Sequence, residues 1–342
     1  MIQTHANVAA ALSADEPVVA LETAVLTHGL PRRPLAEAEW EAVRRWSDAD
    51  VGDFDARAPL NLTVSQAMEA VVRAEGATPA TIGVLDGTLH IGLDPADLTR
   101  LAAATSAVKA TTSTLGAALG GDAYAGSTVA ATLAACGHAS PRPIRVFATG
   151  GIGGVHRGWT IRPDISADLG ELSRSPVIVV CAGVKSILDV AATAEHLETV
   201  GVPVIGFGTD AFPLFQSPGT AAIGVPLRAD GPARVAEIAR HHHGSLGRRE
   251  AILVTQPCPA EASIPAIDLE AAIERTDRAA DTAEITGPAR TPWMLDRLAS
   301  ETSGRSIVAN IALLLANARL AAQIAVADAR GRGVASVPGR AP

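Results

Sequence analysis

Two observations predict an α/β fold. Short runs rich in Val and Ile, several of them closing on glycine, alternate with longer Ala-rich stretches of helical period, the pattern of strands and helices stacked in layers. The chain is 48% hydrophobic and 19% charged, enough apolar material for a large core, and with only 3% aromatics that core must be aliphatic. A length of 342 residues allows two domains, but no linker-like stretch divides the chain. We therefore expect one domain over residues 1–330 and a flexible Gly/Pro-containing tail at 331–342.

In chain order, "PVVALE" (17–22) reads as a strand, and residues 34–50 and 64–76 read as helices, the second closed by Gly76. "TIGVLDGTLHIG" (81–92) has the form of a hairpin with Asp86-Gly87 at its turn. "IRVFATGG" (144–151), "VIVVCAG" (177–183) and "PVIGFGT" (203–209) read as buried strands. A helical period over 185–201 joins the last two into a βαβ unit. Residues 306–330 form one long helix.

A formal charge of -8, with no basic run longer than two or three residues, argues against a nucleic-acid binder. Cys136, Cys181 and Cys258 are odd in number and show no CxxC spacing, which fits a reducing compartment and neither disulfides nor zinc. The amino-terminal segment lacks the form of a signal peptide, and no apolar stretch reaches the roughly 18 residues of a membrane span. The expectation is a cytoplasmic protein without a membrane partner.

Of the 28 Lys and Arg residues only Lys109 and Lys185 are lysine. Arginine replaces an exposed lysine cheaply, but not an amine that must lose its proton and attack carbon. Lys185 follows an apolar strand, where desolvation and the amino end of the next helix would both disfavour its charged form. The alternative is a lysine that merely reaches water from a helix start. Glu22 closes an apolar strand and is the candidate general acid/base, unless a neighbouring Arg simply neutralises it. "TGGIGGVHRG" (149–158) offers backbone N–H groups to a phosphate or is a tight structural turn, and His156 breaks any dinucleotide fingerprint. The "GTD" at 208–210 ends a fourth strand near these groups. Asp164, Ser166 and Asp168 alternate, facing one way on extended chain to meet a hard cation or sugar hydroxyls, or else cap a helix. His241, His242 and His243 point apart on a helix and cannot chelate jointly. Asn310 and Asn317 share one helix face and hold either backbone or a polar ligand.

With these residues assembled, the sequence resembles the pseudouridine-5'-phosphate glycosidase family over nearly its whole length. The carrying segments are "ALETAVLTHGLP" (20–31), "STVAATL" (127–133), "VFATGGIGGVHRG" (146–158), "DISADL" (164–169), "PVIVVCAGVKSILD" (176–189), "ETVGVPVIGFGTD" (198–210) and "TPWMLDRLASETSGRSIVANIALLLANA" (291–318). The resemblance implies an α/β/α sandwich around a large mixed, mainly parallel sheet, a homotrimer, a divalent metal such as Mn2+, and chemistry at a C–C glycosidic bond. It implies that Lys185 attacks C1 of a ribose 5-phosphate unit and that Glu22 carries the proton. It further implies metal at Asp164, substrate contacts at Lys109, Val129, Ser166, Ala167 and Asp168, and His156 and Asn310 beside the base.

The sequence departs from the family pattern in places. After Lys109, Thr112, Ser113 and Thr114 stand in the stretch where the family usually has Ser-Arg-Arg-Asp, Ala24 and Leu35 occupy normally polar positions, Trp159 enters the His156 loop, and Ala316 replaces an Asn. These changes leave the reactive groups intact and alter their surroundings. They raise the expectation of a C-glycosynthase joining ribose 5-phosphate to a flat aromatic polyketide acceptor, as in the alnumycin-type C-ribosyl synthase branch of antibiotic biosynthesis, with uracil and ordinary pseudouridine 5'-phosphate cleavage as the alternative.

Overall fold

A computed structural model describes residues 1–47, 54–55, 57–161, 163–219, 222–287 and 290–335, the last three without their side chains. Its strands in chain order are β1 (Ile2–Thr4), β2 (Val18–Leu21), β3 (Thr78–Leu85), β4 (Thr88–Ile91), β5 (Val108–Ala110), β6 (Ala125–Ser127) and β7 (Val146–Ala148). They continue as β8 (Val155–His156), β9 (Ile178–Cys181), β10 (Leu188–Asp189), β11 (Val204–Phe207), β12 (Leu227–Ala229) and β13 (Ile252–Thr255). Among the described residues eleven of these make one sheet in the order β1-β4-β3-β2-β7-β9-β13-β11-β12, with β6 on β3 and β5 on β6. From β2 to β12 every neighbouring pair is parallel; β3 runs antiparallel to β4 and β6. The expected mixed, mainly parallel sheet is what forms.

The helices are α1 (Ala6–Ser13), α2 (Glu37–Ser47), α3 (Leu60–Ala74), α4 (Pro95–Ala103), α5 (Leu115–Ala118) and α6 (Val129–Cys136). Beyond these lie α7 (Ala167–Leu172), α8 (Val190–Thr199), α9 (Pro232–Ala239), α10 (Ala266–Thr282), α11 (Arg290–Glu301) and α12 (Arg305–Ala335). Successive strand side chains point to opposite faces, so each inner strand supplies two cores. Val19 and Leu21 pack with α2, α3, α9 and α12 on one side of the sheet. Val18 and Ala20 pack with α1, α6, α7 and α10 on the other. That is an α/β/α sandwich.

Several local readings hold. The Asp86-Gly87 turn has φ of 49° and 68°, as a two-residue hairpin requires, and it joins antiparallel β3 and β4. Positive φ at Gly76 ends the chain's turn out of α3. Other readings need correction. The segment expected as one helix from 185 divides into a loop, β10 and α8, which begins at Val190 under an Asp189 cap. In the βαβ unit, β13 lies between β9 and β11, a pairing of distant segments that no local pattern records. The last helix reaches Ala335, past the expected boundary at 330, and Arg332 ties it to Asp328 and Asp15; 336–342 lie outside the described residues, as do 48–50 of the expected first helix.

By length and composition Arg305–Arg332 is apolar enough to cross a membrane, contrary to the expectation from the sequence. Its apolar surface is spent inside the protein instead: Leu313, Leu314 and Leu315 are fully buried against the sheet and α3.

Candidate active site

Three neighbouring parallel strands, β2, β7 and β9, deliver the reactive groups just past their carboxyl ends, where such sheets gather function. Glu22 follows β2, Thr149 follows β7, and Lys185 lies in the loop after β9. The Glu22 carboxyl is buried and takes a short hydrogen bond from the Thr149 hydroxyl. Burial pushes its pKa up; the Lys185 ammonium and the Thr149 bond oppose that push. Behind them Asn317 donates to the carbonyls of Thr149 (2.8 Å) and Gly150 (3.2 Å) and accepts from Gln256 (2.8 Å). Asn317 is therefore the amide that holds backbone, and Asn310, one face-repeat earlier, lines the cavity.

Lys185 is fixed by its backbone. Its N–H donates to the Ile152 carbonyl at 3.1 Å, and the approach runs through Gly183 at φ 87°. A Cβ on Gly183 would collide with the Pro213 carbonyl. The amino end of α8 falls at Asp189, whose carboxylate takes the Ala192 N–H at 3.0 Å, so the helix dipole expected beside Lys185 is displaced from it.

Lys109 comes from β5 and reaches the same space. Burial holds its pKa below the ordinary lysine value, the Lys185 charge adds to this, and Asp168 and Glu22 oppose it. Asp168 is buried and knits three segments together: its oxygens accept from Ala130 N (2.9 Å) at the start of α6 and Gly153 N (2.8 Å) in the glycine loop, and its own N–H donates to the capping Ser166 hydroxyl (3.2 Å). Ser166 caps α7, as the helix-cap reading of "DISADL" expects, and Ser166, Ala167 and Asp168 also line the cavity. Much of the glycine loop is spent on packing, although Gly150, Gly151 and Gly153 also line the cavity. Its N–H groups at Ile152, Gly153 and Val155 are bonded within the protein, and Gly154 sits against Thr193.

The space has two compartments that share Glu22, Ala24, Lys109, Lys185 and Thr291. One is lined by Thr111, Thr128, Val129, His156, Ser166 and Asp168. The other is mostly apolar, with Val25, His28, Phe215, Pro292, Leu295 and Asn310. The structure thus brings together Glu22, Lys185, Lys109, Val129, His156, Ser166, Ala167, Asp168 and Asn310. His28, Thr291, Leu295 and Phe215 were not singled out from the sequence. The first three lie inside the segments that carry the family resemblance, whereas Phe215, at φ 60°, left no signal. Burial, then the Lys109 and Arg32 charges, hold His28 below the ordinary imidazole value.

Other expected residues lie apart. Asp164 is outside both linings, its carboxylate 3.9 Å from His156 Nε2 and partly open to water. Among the described residues no three His, Cys, Asp or Glu side chains converge as a metal cage. Trp159 lines neither compartment and is 38% exposed. Asp210 of "GTD" pairs with Arg228 at the surface, two strands beyond β9. His242 and His243 both meet the Glu250 carbonyl, at 3.1 and 3.0 Å, and line neither compartment. The three cysteines are free and buried, their thiols pushed up to about 12.

Comparison with known proteins finds relatives of this chain and of its fold. Residues 56–327 match the family described as indigoidine synthase A like protein. A pseudouridine-5'-phosphate glycosidase of Paracoccus denitrificans is 44% identical over 93% of this chain and 95% of its own length. One from Chloroflexus aurantiacus is 43% identical over 95% of this chain and 98% of its own. Among solved structures, the prealnumycin C-glycosynthase AlnA in complex with ribulose 5-phosphate superposes with a TM-score of 0.80 at 31% identity, covering 98% of this chain and 99% of that one. An indigoidine synthase A-like protein of Thermotoga maritima gives 0.76 at 31% identity, covering 95% and 96%.

Proposed function

The chain belongs to the indigoidine synthase A-like family that its pseudouridine-5'-phosphate glycosidase relatives represent, and from that premise we propose that it cleaves and forms the C–C bond between C1 of ribose 5-phosphate and C5 of uracil. The observation that carries this reading is the placement of Glu22, Lys109 and Lys185 around one space with a polar compartment on one side and an apolar one on the other. The polar side suits the sugar phosphate, and the apolar side, with Asn310 as its amide, suits a planar base.

A C-glycosidic bond has no leaving oxygen or nitrogen to protonate, so the sugar must be activated through carbon. The Lys185 nitrogen forms a bond to C1 as the C1–O4 bond opens, and the proton that the nitrogen then sheds goes to the ring oxygen, which restores the nitrogen lone pair. Its lone pair then makes the C1=N bond while the C1–C5 electron pair passes to the base, whose C5 takes the proton from Glu22. Water adds to the iminium and releases ribose 5-phosphate and the free amine. Run backwards, the iminium is attacked by the nucleophilic carbon of the base. Burial that favours the protonated carboxyl of Glu22 serves the cleavage direction.

Asp164 would hold the divalent metal that the family resemblance implies. A single partly exposed carboxylate fits an ion that keeps most of its water shell, as Mn2+ or Mg2+ can, and not a protein-only cage. Bound there, the ion would supply positive charge near the sugar compartment. A homotrimer in the cytoplasm completes the reading.

The aromatic polyketide acceptor has less support. Trp159, the residue that raised it, stands outside both compartments, and relatives 43–44% identical over nearly the whole chain carry the glycosidase name. The test is incubation with pseudouridine 5'-phosphate and Mn2+, with mass spectrometry for released uracil, beside borohydride reduction in the presence of ribose 5-phosphate. Uracil release and a reduced sugar adduct on Lys185, both lost in Lys185→Arg, are expected. An adduct without uracil release would assign the protein another acceptor; no adduct would sink the lysine mechanism.

A further inference from the structure

The polar compartment, which the glycosidase reading gives to the sugar phosphate, is sparsely furnished with positive charge. Among the described residues lining either compartment, Lys109 and Lys185 are the only Lys or Arg side chains, and Asp168 and Glu22 stand against them. If Lys185 is committed to C1, one partly neutralised ammonium is left for a phosphomonoester dianion. Apart from that ammonium and any ion held at Asp164, outside the linings, its recognition has to come from neutral donors.

Lys109 and Thr111 are two residues apart at the end of β5, so their side chains share a face, and both line the compartment. The carbonyl of Ala110 between them accepts from Thr128 N at 3.0 Å, which ties this edge to the start of α6. Thr111 Oγ1 lies 2.8 Å from Ser113 Oγ and 3.2 Å from Thr114 Oγ1. Thr114 Oγ1 in turn accepts the Thr111 N–H at 2.9 Å. The Thr114 hydroxyl also has the Thr111 carbonyl within reach as an acceptor. These contacts hold the Thr111 hydroxyl in place beside Lys109, where it can donate to a group in the compartment.

We propose that Thr111, supported by Ser113 and Thr114, is the neutral donor that with Lys109 reads the phosphate end of the pentose, and that this hydroxyl turn makes the preference for a phosphorylated over an unphosphorylated sugar a shallow one. The inference rests on the glycosidase reading above and deepens it. It also gives a role to the stretch where Thr112, Ser113 and Thr114 replace the charged residues of the family pattern: recognition there is by hydroxyls.

The experiment is borohydride trapping of Lys185 over a range of ribose 5-phosphate and of ribose, with intact-mass readout, in the wild-type protein, Thr111→Val and Thr111→Ser. In the wild type, half-trapping by ribose should need no more than about 100 times the concentration that ribose 5-phosphate needs, the span of one or two hydrogen bonds to a charged group. That ratio should fall about tenfold in Thr111→Val and recover in Thr111→Ser. A ratio unmoved by Thr111→Val overturns the proposal, because a merely structural role shifts both sugars alike. Calorimetric titration with inorganic phosphate separates this from failure of the lysine chemistry. If the wild type traps neither sugar but binds phosphate more tightly than Thr111→Val does, the subsite stands and the Lys185 reading falls; equal phosphate binding, or none by the wild type, sinks the subsite.

Discussion

Glu22 is the residue on which protonation and mechanism meet. Its surroundings keep the proton on above the ordinary carboxylate value of 4.5, burial outweighing the Lys185 charge and the Thr149 bond. Below 4.5 the folded and unfolded chains both hold this proton. Between 4.5 and the raised value only the folded chain does, so stability from this group is full at low pH and is lost as pH rises through that window. Two outcomes follow at this scale. Glu22→Gln should lower turnover by about 10²–10⁴-fold, as loss of a proton donor does, in the uracil-release assay. Its melting temperature should also fall less steeply than that of the wild type as pH is raised across the window. An equal slope in both proteins would mean that Glu22 has no raised value.

At the scale of elements, the glycine loop after β7 works by letting segments approach. A Cβ on Gly153 would come within 2.7 Å of Ser166 Cβ and 2.8 Å of Asp168 Oδ2, displacing the cap of α7 and the carboxylate that joins it to α6. Gly153→Ala should therefore cost about 1–3 kcal/mol by overpacking and lower kcat/KM by more than the loss of folded protein accounts for, checked by melting and by kinetics on the soluble fraction. The hairpin at Asp86-Gly87 and the long α12 are legible locally, since a turn dipeptide and a helical period are properties of neighbouring residues. The start of α8 is not: the helical period runs smoothly back to Lys185, but Leu188 and Asp189 pair with His156 and Val155 of a distant segment, and that pairing keeps the lysine in a loop.

At the scale of the whole molecule, the site is a consequence of sheet order. The floor of the site rests on α12, where Leu313 and Leu314 approach Gly150 and pack on the strands that carry the reactive groups. Leu313→Ala should cost about 2–5 kcal/mol, as buried Leu truncations do, read as a lower denaturation midpoint at an unchanged slope. Only two of the four strand ends suspected of reactivity carry the proposed chemistry directly: Glu22 and Lys185 flank the glycine loop, while Asp210 is carried off by the insertion of β13.

What the sequence by itself determined is chemical and local. Two lysines survive in an arginine-rich chain, a carboxylate closes an apolar strand, and the aliphatic alternation commits the chain to layered helices and strands. Tertiary structure alone decided which strands are neighbours, that Asn317 turns to the backbone while Asn310 faces the cavity, and that Trp159 stands outside it. The physical reason is that propensity and period act over a few residues, whereas strand order, and with it the meeting of Glu22 and Lys185, is set by pairing and packing between segments far apart in the chain.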